Sequence, residues 1–160
     1  MKEPMIYYSH PIAGKKGVDA KSHEEYQKLS VDYEYENENC KIAVRNVQWL
    51  RNAFPQVRWY CPGEVEIPIQ TARQLNLLLP KQVMDLDYVV IERRCHGGLL
   101  HLWQPSRGVL EEKKKLETLQ YPSLMIPGTK EIWECDLGRI QNFVRRTINF
   151  SKERNRNGTK

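Results

Sequence analysis

The stretch Gly98-Leu99-Leu100-His101-Leu102-Trp103-Gln104-Pro105-Ser106-Arg107-Gly108-Val109-Leu110-Glu111-Glu112 decides the fold, because a largely apolar run ends in it and a helical repeat begins. A run of this kind is typical of a strand buried on both faces of a parallel sheet. Beyond the polar turn, Val109, Leu116 and Leu119 recur at helical spacing. The stretch therefore predicts a strand, a loop and a helix, and ligands bind at such loops in open α/β sheets.

Glu112 has an unexpected position in the predicted helix, because it falls on the apolar stripe. The ordinary charges of this helix, including Glu111 and Lys114, fill its other faces. A carboxylate on the inward face, one turn past a strand-to-helix loop, either takes part in the chemistry of a site or is a poorly placed surface acid. The pattern leaves both interpretations open.

The rest of the chain alternates strands with helices in the order β-α-β-α-α-β-α-β-α. We predict further strands at 5–9, 57–61 and 124–126, and further helices at 39–54, 69–79, 80–95 and 136–150. This order predicts an α/β fold: a doubly wound, flavodoxin-like or Rossmann-like, mainly parallel sheet of four or five strands with helices on both faces. Residues 1–150 form the single predicted domain, with a polar insertion or lid at 18–38 and a basic flexible tail at 151–160.

Length and composition agree with one globular domain. The chain has 160 residues, of which 40% are hydrophobic and 28% charged. No apolar run approaches the length of a membrane-spanning helix, and the N-terminal residues lack the apolar core of a signal peptide. We therefore expect a cytoplasmic protein that does not associate with membranes.

The formal net charge of +5 raises the question of a nucleic-acid partner. Much of the excess lies near the C-terminus, where Lys152, Arg154, Arg156 and Lys160 accompany one acid, Glu153. A solvated basic tail accounts for this charge. Since the sequence also lacks a zinc-finger, RNP or helix-turn-helix signature, nucleic acid is not an expected partner.

The cysteines and histidines do not form a metal-binding pattern. The four cysteines contain no C-x-x-C pair and are expected to be free, mostly buried thiols. The four histidines lack ligand spacing with the cysteines. We therefore expect neither a metal nor a cofactor.

Polar residues follow three of the predicted strands. Two glycines bracket two lysines after the first strand, in Ile12-Ala13-Gly14-Lys15-Lys16-Gly17, a loop that either turns N–H groups and cations toward an anion or is simply a solvated turn. Glu64 follows the second strand, and Ser106 and Gly108 follow the third. The carboxyl ends of parallel strands meet at one edge, so these clusters predict a small-molecule site there.

Three parts of the sequence together resemble the nucleoside 2-deoxyribosyltransferase-like superfamily. They are the run Ile6-Tyr7-Tyr8-Ser9-His10-Pro11-Ile12-x-Gly14-Lys15-Lys16, the aspartates before the third strand, and Gln104-Pro105-Ser106-x-Gly108-x-x-x-Glu112. Within the superfamily, the chain is most similar to the 2'-deoxynucleoside 5'-monophosphate N-glycosidases and to uncharacterised small phage and bacterial proteins. The similarity covers roughly residues 5 to 126.

The resemblance implies a mechanism and a set of residues. Glu112 is implied as the nucleophile that attacks C1' of the sugar, Tyr7 as the group that orients it, and Asp87 as the acid that protonates the leaving base, with Asp85 as the alternate. His96 stands where relatives carry an acid, which makes it a third candidate for the proton donor. The implied substrate-binding residues are Ser9, His10, Ile12, Gly14, Lys15, Lys16, Glu64, Ser106 and Gly108.

The expected function is hydrolysis of the N-glycosidic bond of (deoxy)nucleoside 5'-monophosphates, with transfer of the (deoxy)ribosyl group to another base as a related outcome. Two alternatives stay open: a non-catalytic nucleotide-binding or sensing module, and a glycohydrolase of NAD-type dinucleotides. Relatives build their sites partly from a neighbouring subunit, so the resemblance also implies a homodimer or a larger homo-oligomer.

Overall fold

Four parallel strands form the centre of the molecule. The computed structural model describes residues 3–12, 33–75, 77–78 and 80–157. The strands are β1 (Met5–Ser9), β2 (Arg58–Tyr60), β3 (Gly97–Leu102) and β4 (Ser123–Pro127). They lie in the order β2-β1-β3-β4, and every pair is parallel. The predicted doubly wound α/β fold is confirmed.

Within the described residues, five α-helices surround the sheet: α1 (Tyr33–Ala53), α2 (Glu66–Gln74), α3 (Pro80–Arg94), α4 (Arg107–Thr118) and α5 (Leu137–Asn157). Short 3-10 turns at Pro62–Glu64 and Ile132–Glu134 follow β2 and β4. None of the helices within the described ranges is both long and apolar enough to cross a membrane.

The sheet changes direction of winding at β1. The chain passes from β1 to β2 on one side and then returns to β3 on the other, so Tyr7 lies in register with Tyr60 and with Gly98. A crevice opens at such a point, because the connections leave the two central strands in opposite directions. The loops that follow Ser9 and Leu102 flank this crevice.

Two apolar cores lie on opposite faces of the sheet, because side chains alternate between the two faces along each strand. Ile6 and Tyr8 join the core beneath α1 and α5, which contribute Leu50 and Phe143 among others. Tyr7 points the other way, into the core beneath α3 and α4. The site therefore belongs to the α3 and α4 side of the sheet.

Two consecutive glycines let the helices approach β3 closely. A Cβ atom at Gly98 would overlap Leu116 Cδ1 of α4 and would lie 3.1 Å from Cδ2 of the same side chain. A Cβ atom at Gly97 would lie 2.8 Å from both the Pro122 carbonyl oxygen and Thr147 Oγ1 of α5. Gly98 thus sets the distance between β3 and α4, while Gly97 sets the distances to the start of β4 and to α5.

A buried polar network ties the other face together. Tyr8 donates its hydroxyl proton to His101 Nδ1 at 2.7 Å, and His101 Nε2 donates to the Thr129 carbonyl at 2.7 Å. Asn46 Nδ2 donates to the Lys130 carbonyl at 2.8 Å, while its Oδ1 accepts the Ile132 N–H at 3.1 Å. These bonds hold the loop after β4 against β3 and α1.

Three helix boundaries differ from the prediction. Helix α1 begins at Tyr33, six residues before the expected cap at Asn39, so 33–38 belong to a helix and not to the predicted insertion. Helix α2 runs from Glu66 to Gln74 instead of 69–79. Helix α5 continues to Asn157, so the predicted flexible tail is helical from Ser151 to Asn157.

Candidate active site

Glu112 lies on the buried face of α4, with only 6% of its surface exposed. The helix is capped by Ser106, whose Oγ accepts a hydrogen bond from the Val109 N–H at 3.4 Å. Val109, Glu112 and Leu116 are buried along one stripe of this helix. The cap and the apolar stripe therefore direct the Glu112 carboxyl group toward the sheet, as the sequence predicts.

Two hydroxyl groups of β1 hold the Glu112 carboxyl group. The Tyr7 hydroxyl donates to Oε1 at 2.8 Å, and the Ser9 hydroxyl donates to Oε2. Both side chains are fully buried. Residues two apart on a strand point to the same face, which is why Tyr7 and Ser9 meet one carboxyl group together. Each carboxyl oxygen thus has a donor from β1 and keeps further lone pairs.

A second buried carboxyl group, that of Asp87 on α3, belongs to the same cluster. Burial raises the pKa of Asp87, and the Tyr7 hydroxyl opposes this rise. Burial also raises the pKa of Glu112, and repulsion from Asp87 raises it further, whereas the Ser9 and Tyr7 hydroxyls lower it. The pKa of Asp87 rises to about 6 and that of Glu112 to about 8, so near neutral pH the pair retains one proton, and Glu112 holds it.

Two tyrosines complete the cluster. Burial and the negative field of Glu112 and Asp87 raise the pKa of Tyr7 well above its usual value, so its hydroxyl remains a donor. The Tyr60 ring stacks on the Tyr7 ring with centroids 5.6 Å apart. Burial, and then Asp87, raises the pKa of Tyr60 to about 12. Both phenols are therefore neutral over the pH range in which the carboxyl pair titrates.

Of the three proposed proton donors, the structure brings only Asp87 to Glu112. Asp85 is exposed on the outer side of α3. His96 precedes β3, and its Nδ1 accepts the Met5 N–H at 3.2 Å at the amino ends of the strands. The carboxyl pair therefore consists of Glu112 and Asp87.

The His10 side chain connects the segments that follow β1 and β2, and within the described part of the chain it does not face a cavity. Its Nδ1 donates to the Pro11 carbonyl at 3.0 Å, and its Nε2 accepts the Gly63 N–H at 3.0 Å. Burial lowers the pKa of His10 to about 4, so the ring is neutral. It also stacks with Trp103 at 6.1 Å. The loops that follow β1 and β2 are joined through this ring, and neither ring nitrogen is available to a ligand.

Glu64 is engaged elsewhere, because Arg51 binds its two carboxylate oxygens at 2.6 and 2.8 Å. The Ile12 carbonyl accepts a hydrogen bond from Asn39 at 3.2 Å, which ties the first residues after β1 to α1. The remaining predicted substrate-binding residues of this loop, Gly14, Lys15 and Lys16, lie outside the described residues.

Open space adjoins the first turn of α4. A cavity of about 830 Å³ is lined by Trp103, Ser106, Arg107 and Leu110, together with further residues of the outer face of α4. Gly108 has no side chain to fill the neighbouring volume, and a Cβ atom there would approach only Ser106 Oγ, at 3.8 Å. Glu112 is not among the described lining residues. The cavity thus adjoins the cap of α4, on the opposite face of the helix from the carboxyl pair.

Cysteines and potential metal ligands both occur among the residues that the structure describes. Cys40, Cys61, Cys95 and Cys135 are all free. No group of three or more His, Cys, Asp or Glu side chains within the described ranges is arranged to hold a metal ion.

Sequence reasoning missed one contact, the bond from Ser9 to Glu112. We expected Ser9 to face a substrate anion, but its hydroxyl group holds a carboxyl oxygen. The signal was present, since Ser9 follows Tyr7 by two positions on a strand and shares its face.

These features define a class: a doubly wound α/β protein with a buried, hydrogen-bonded carboxyl pair at the switch point of its sheet. No protein-family model, curated protein or solved structure matches the chain.

Proposed function

We propose that this protein is an N-glycosidase that hydrolyses the N-glycosidic bond of (deoxy)nucleoside 5'-monophosphates, with Glu112 as the nucleophile. One observation carries the proposal: a buried glutamate is held by two hydroxyl donors beside a second carboxyl group, at the sheet edge where ligands bind. Any buried carboxyl group needs hydrogen-bond donors, but a second buried carboxyl group beside it is unfavourable, and this acidic neighbour distinguishes Glu112 from a glutamate that serves only packing.

The arrangement suits a reaction that develops positive charge on the sugar. Cleavage of the C1'–N bond gives C1' oxocarbenium character, which a carboxylate beneath it stabilises and then traps as an ester. The Tyr7 and Ser9 hydroxyls fix the rotamer of Glu112 and favour its anionic form. A lone pair on either oxygen remains for the attack on C1'.

Asp87 supplies the proton in this proposal. In the free protein the shared proton resides on Glu112, whose pKa is raised to about 8 while that of Asp87 is raised to about 6. The proposal therefore requires this proton to pass from Glu112 to Asp87 when the substrate binds, with the two hydroxyl donors stabilising the Glu112 anion that remains. As the C1'–N bond breaks, this proton moves to the departing base. Water then attacks the glycosyl ester while Asp87 takes up a proton, which releases the sugar phosphate and restores both groups.

The turn at Ser106 is the proposed phosphate site. The first N–H groups of α4 point out of its N-terminus, where the helix dipole favours an anion. Because Gly108 carries no side chain, backbone there is accessible to a phosphate oxygen. Lys15 and Lys16 remain predicted contributors of positive charge. A cytoplasmic location and a homo-oligomeric state also remain part of the proposal.

The test is release of free base from a panel of ribo- and deoxyribonucleoside monophosphates, with and without an acceptor base. Glu112→Gln removes the nucleophile and should lower kcat/KM by roughly a thousandfold or more. Glu111→Gln is the matched control, because Glu111 is the adjacent glutamate and pairs with Lys114 on the outer side of α4. It should retain activity within about twofold.

Other outcomes distinguish the alternatives. Full activity in Glu112→Gln contradicts the proposal. Stoichiometric nucleotide binding without base release on prolonged incubation would indicate a sensing module, and faster turnover of NAD than of any monophosphate would indicate a dinucleotide glycohydrolase. Asp87→Asn should lose most activity on ordinary bases and much less on a substrate whose leaving group needs no protonation.

A further inference from the structure

The Tyr60 side chain lies beside the carboxyl pair but has no part in the mechanism above. Tyr60 is the last residue of β2 and lies in register with Tyr7 of β1, so both side chains point to the same face of the sheet. Their rings stack with centroids 5.6 Å apart and an angle of 26° between the ring planes. The cluster around Glu112 therefore extends from β1 onto β2.

Tyr60 and Glu112 lie on opposite sides of Tyr7. The order of the strands places β2 along one edge of β1 and β3 along the other. Glu112 comes from the β3 side, because α4 packs on β3 where Leu116 contacts Gly98. Tyr60 comes from the β2 side. A ligand that contacts Glu112 at one end and extends across β1 therefore reaches Tyr60.

The Tyr60 hydroxyl group lies on the Asp87 side of the carboxyl pair. Burial raises the pKa of Tyr60 most, and the charge of Asp87 raises it further, with a smaller effect from Glu112. Because the effect of a charge weakens with distance, this order indicates that the hydroxyl group is nearer to Asp87. In the proposed reaction the sugar lies over Glu112 and the base departs toward Asp87. The hydroxyl group is thus on the side of the departing base.

The same hydroxyl group is available to a ligand. Tyr7 and Ser9 use their hydroxyl groups to bind Glu112. Asp87 and Glu112 act on Tyr60 through their charges, and no hydrogen bond within the described ranges occupies its hydroxyl group. Tyr60 is also partly exposed, whereas Tyr7 and Ser9 are fully buried. A ligand that approaches the carboxyl pair therefore meets an unoccupied hydrogen-bond donor.

We propose that the Tyr60 hydroxyl group donates a hydrogen bond to the base of the nucleotide, at the acceptor next to the glycosidic nitrogen. This acceptor is O2 in pyrimidines and N3 in purines, so each common base offers it. Negative charge grows on the base as the C1'–N bond breaks, and a hydrogen bond to a charged acceptor is stronger than one to a neutral acceptor. Tyr60 keeps its own proton, while Asp87 supplies the one that is transferred. The substrate class of this contact rests on the proposed function, which assigned no residue to the binding of the base.

Two purine nucleotides that differ at one position test this contact without any turnover. Isothermal titration calorimetry of the Glu112→Gln protein compares 2'-deoxyadenosine 5'-monophosphate with its 3-deaza analogue, in which a C–H group replaces N3. The analogue should bind about three- to tenfold more weakly, because it lacks the acceptor. Adding Tyr60→Phe, which keeps the ring, should weaken binding of the natural nucleotide by the same factor and abolish the difference between the two ligands. The affinity for 2-deoxyribose 5-phosphate should not change, because this ligand has no base.

Tyr121→Phe is the matched control for the loss of a tyrosine hydroxyl group. The Tyr121 hydroxyl donates to the Glu92 carbonyl and accepts from Arg154, before β4 begins. Adding this substitution should leave the affinities for both nucleotides unchanged. In a protein that retains Glu112, Tyr60→Phe should lower kcat for base release about 10- to 100-fold, because the acceptor carries charge in the transition state.

The results separate this contact from the proposed function. Nucleotide binding that depends on both the Tyr60 hydroxyl group and N3, without base release by the wild type, would contradict the proposed function and support the contact. Base release by the wild type, together with the same ratio of affinities for the two nucleotides with and without the Tyr60 hydroxyl group, would overturn the contact and leave the proposed function intact. Absence of binding at millimolar nucleotide would overturn the contact as well.

Discussion

Replacing Gly98 with Ala should displace α4 and disturb the carboxyl pair. The added methyl group would overlap Leu116 Cδ1 and would lie 3.1 and 3.2 Å from Cδ2 and Cγ, so the whole branched end of a fully buried leucine has to move. Overpacking of this kind costs about 1–3 kcal/mol. Leu116 is one turn beyond Glu112 on the same face of α4. An outward shift of only about 0.7 Å would stretch the 2.8 Å bond from Tyr7 to the limit of hydrogen bonding.

Two measurements test this prediction. Urea unfolding should show the loss of about 1–3 kcal/mol, and base release should fall because Glu112 is no longer held by β1. Gly97→Ala is the matched control. Its methyl group meets the Pro122 carbonyl and Thr147, toward β4 and α5. That variant should also lose stability, but a folded sample should keep the Glu112 titration of the wild type by carboxyl ¹³C NMR.

A second substitution, at Leu116, gives a stricter test of the role of Gly98. Leu116→Ala alone leaves a cavity and should cost about 2–5 kcal/mol. In the double variant Gly98→Ala/Leu116→Ala, the new methyl group partly fills that cavity, so the double variant should be more stable than the sum of the single losses predicts. Additive losses, or a Gly98→Ala protein as stable as the wild type, would refute the claim that Gly98 sets the position of α4.

Three further predictions concern stability. Gln120 has a φ of 56° at the end of α4, where the Tyr121 N–H binds the Leu116 carbonyl, so Gln120→Gly should raise stability by about 1 kcal/mol in urea unfolding. Because the pKa of Glu112 is raised in the folded protein, the wild type loses stability as the pH rises above 4.5. The variant Glu112→Gln should therefore have a higher Tm than the wild type at pH 9 and lose this advantage toward pH 4.5. An equal difference in Tm at both pH values would contradict the raised pKa. Asn46→Ala leaves the buried Ile132 N–H without its acceptor and should cost about 2–3 kcal/mol, whereas the exposed Asn142→Ala should stay within about 0.5 kcal/mol.

Local patterns predicted the strands and the inward position of Glu112, because both depend on the spacing of apolar residues along the chain. The start of α1 was not predicted, because buried polar residues, Glu36 and Asn39, lie on its inner face where the pattern requires apolar ones. The last two turns of α5 were missed because the residues there are mostly charged or amide, and among those whose burial is described only Ser151 is buried.

The choice among Asp85, Asp87 and His96 depends on tertiary structure. All three precede β3, and no periodicity distinguishes an acid that points into the sheet from one on the outer side of α3. The assembled fold does so, since Asp87 is buried against Tyr7 while Asp85 is exposed. Ser9 illustrates the same point, because its residue type suited an anion equally well.

The central position of β1 also constrains the order of folding. Its hydroxyl groups meet a carboxyl group that lies 103 and 105 positions further along the chain. During synthesis, β1 can pair with β2 early, but its other edge stays open until β3 has emerged from the ribosome, and the bonds to Glu112 wait for α4. Such distant pairings fold slowly and leave strand edges exposed in the meantime. The carboxyl pair therefore reports that folding has proceeded as far as α4, because a nascent chain that stops before this helix cannot form it.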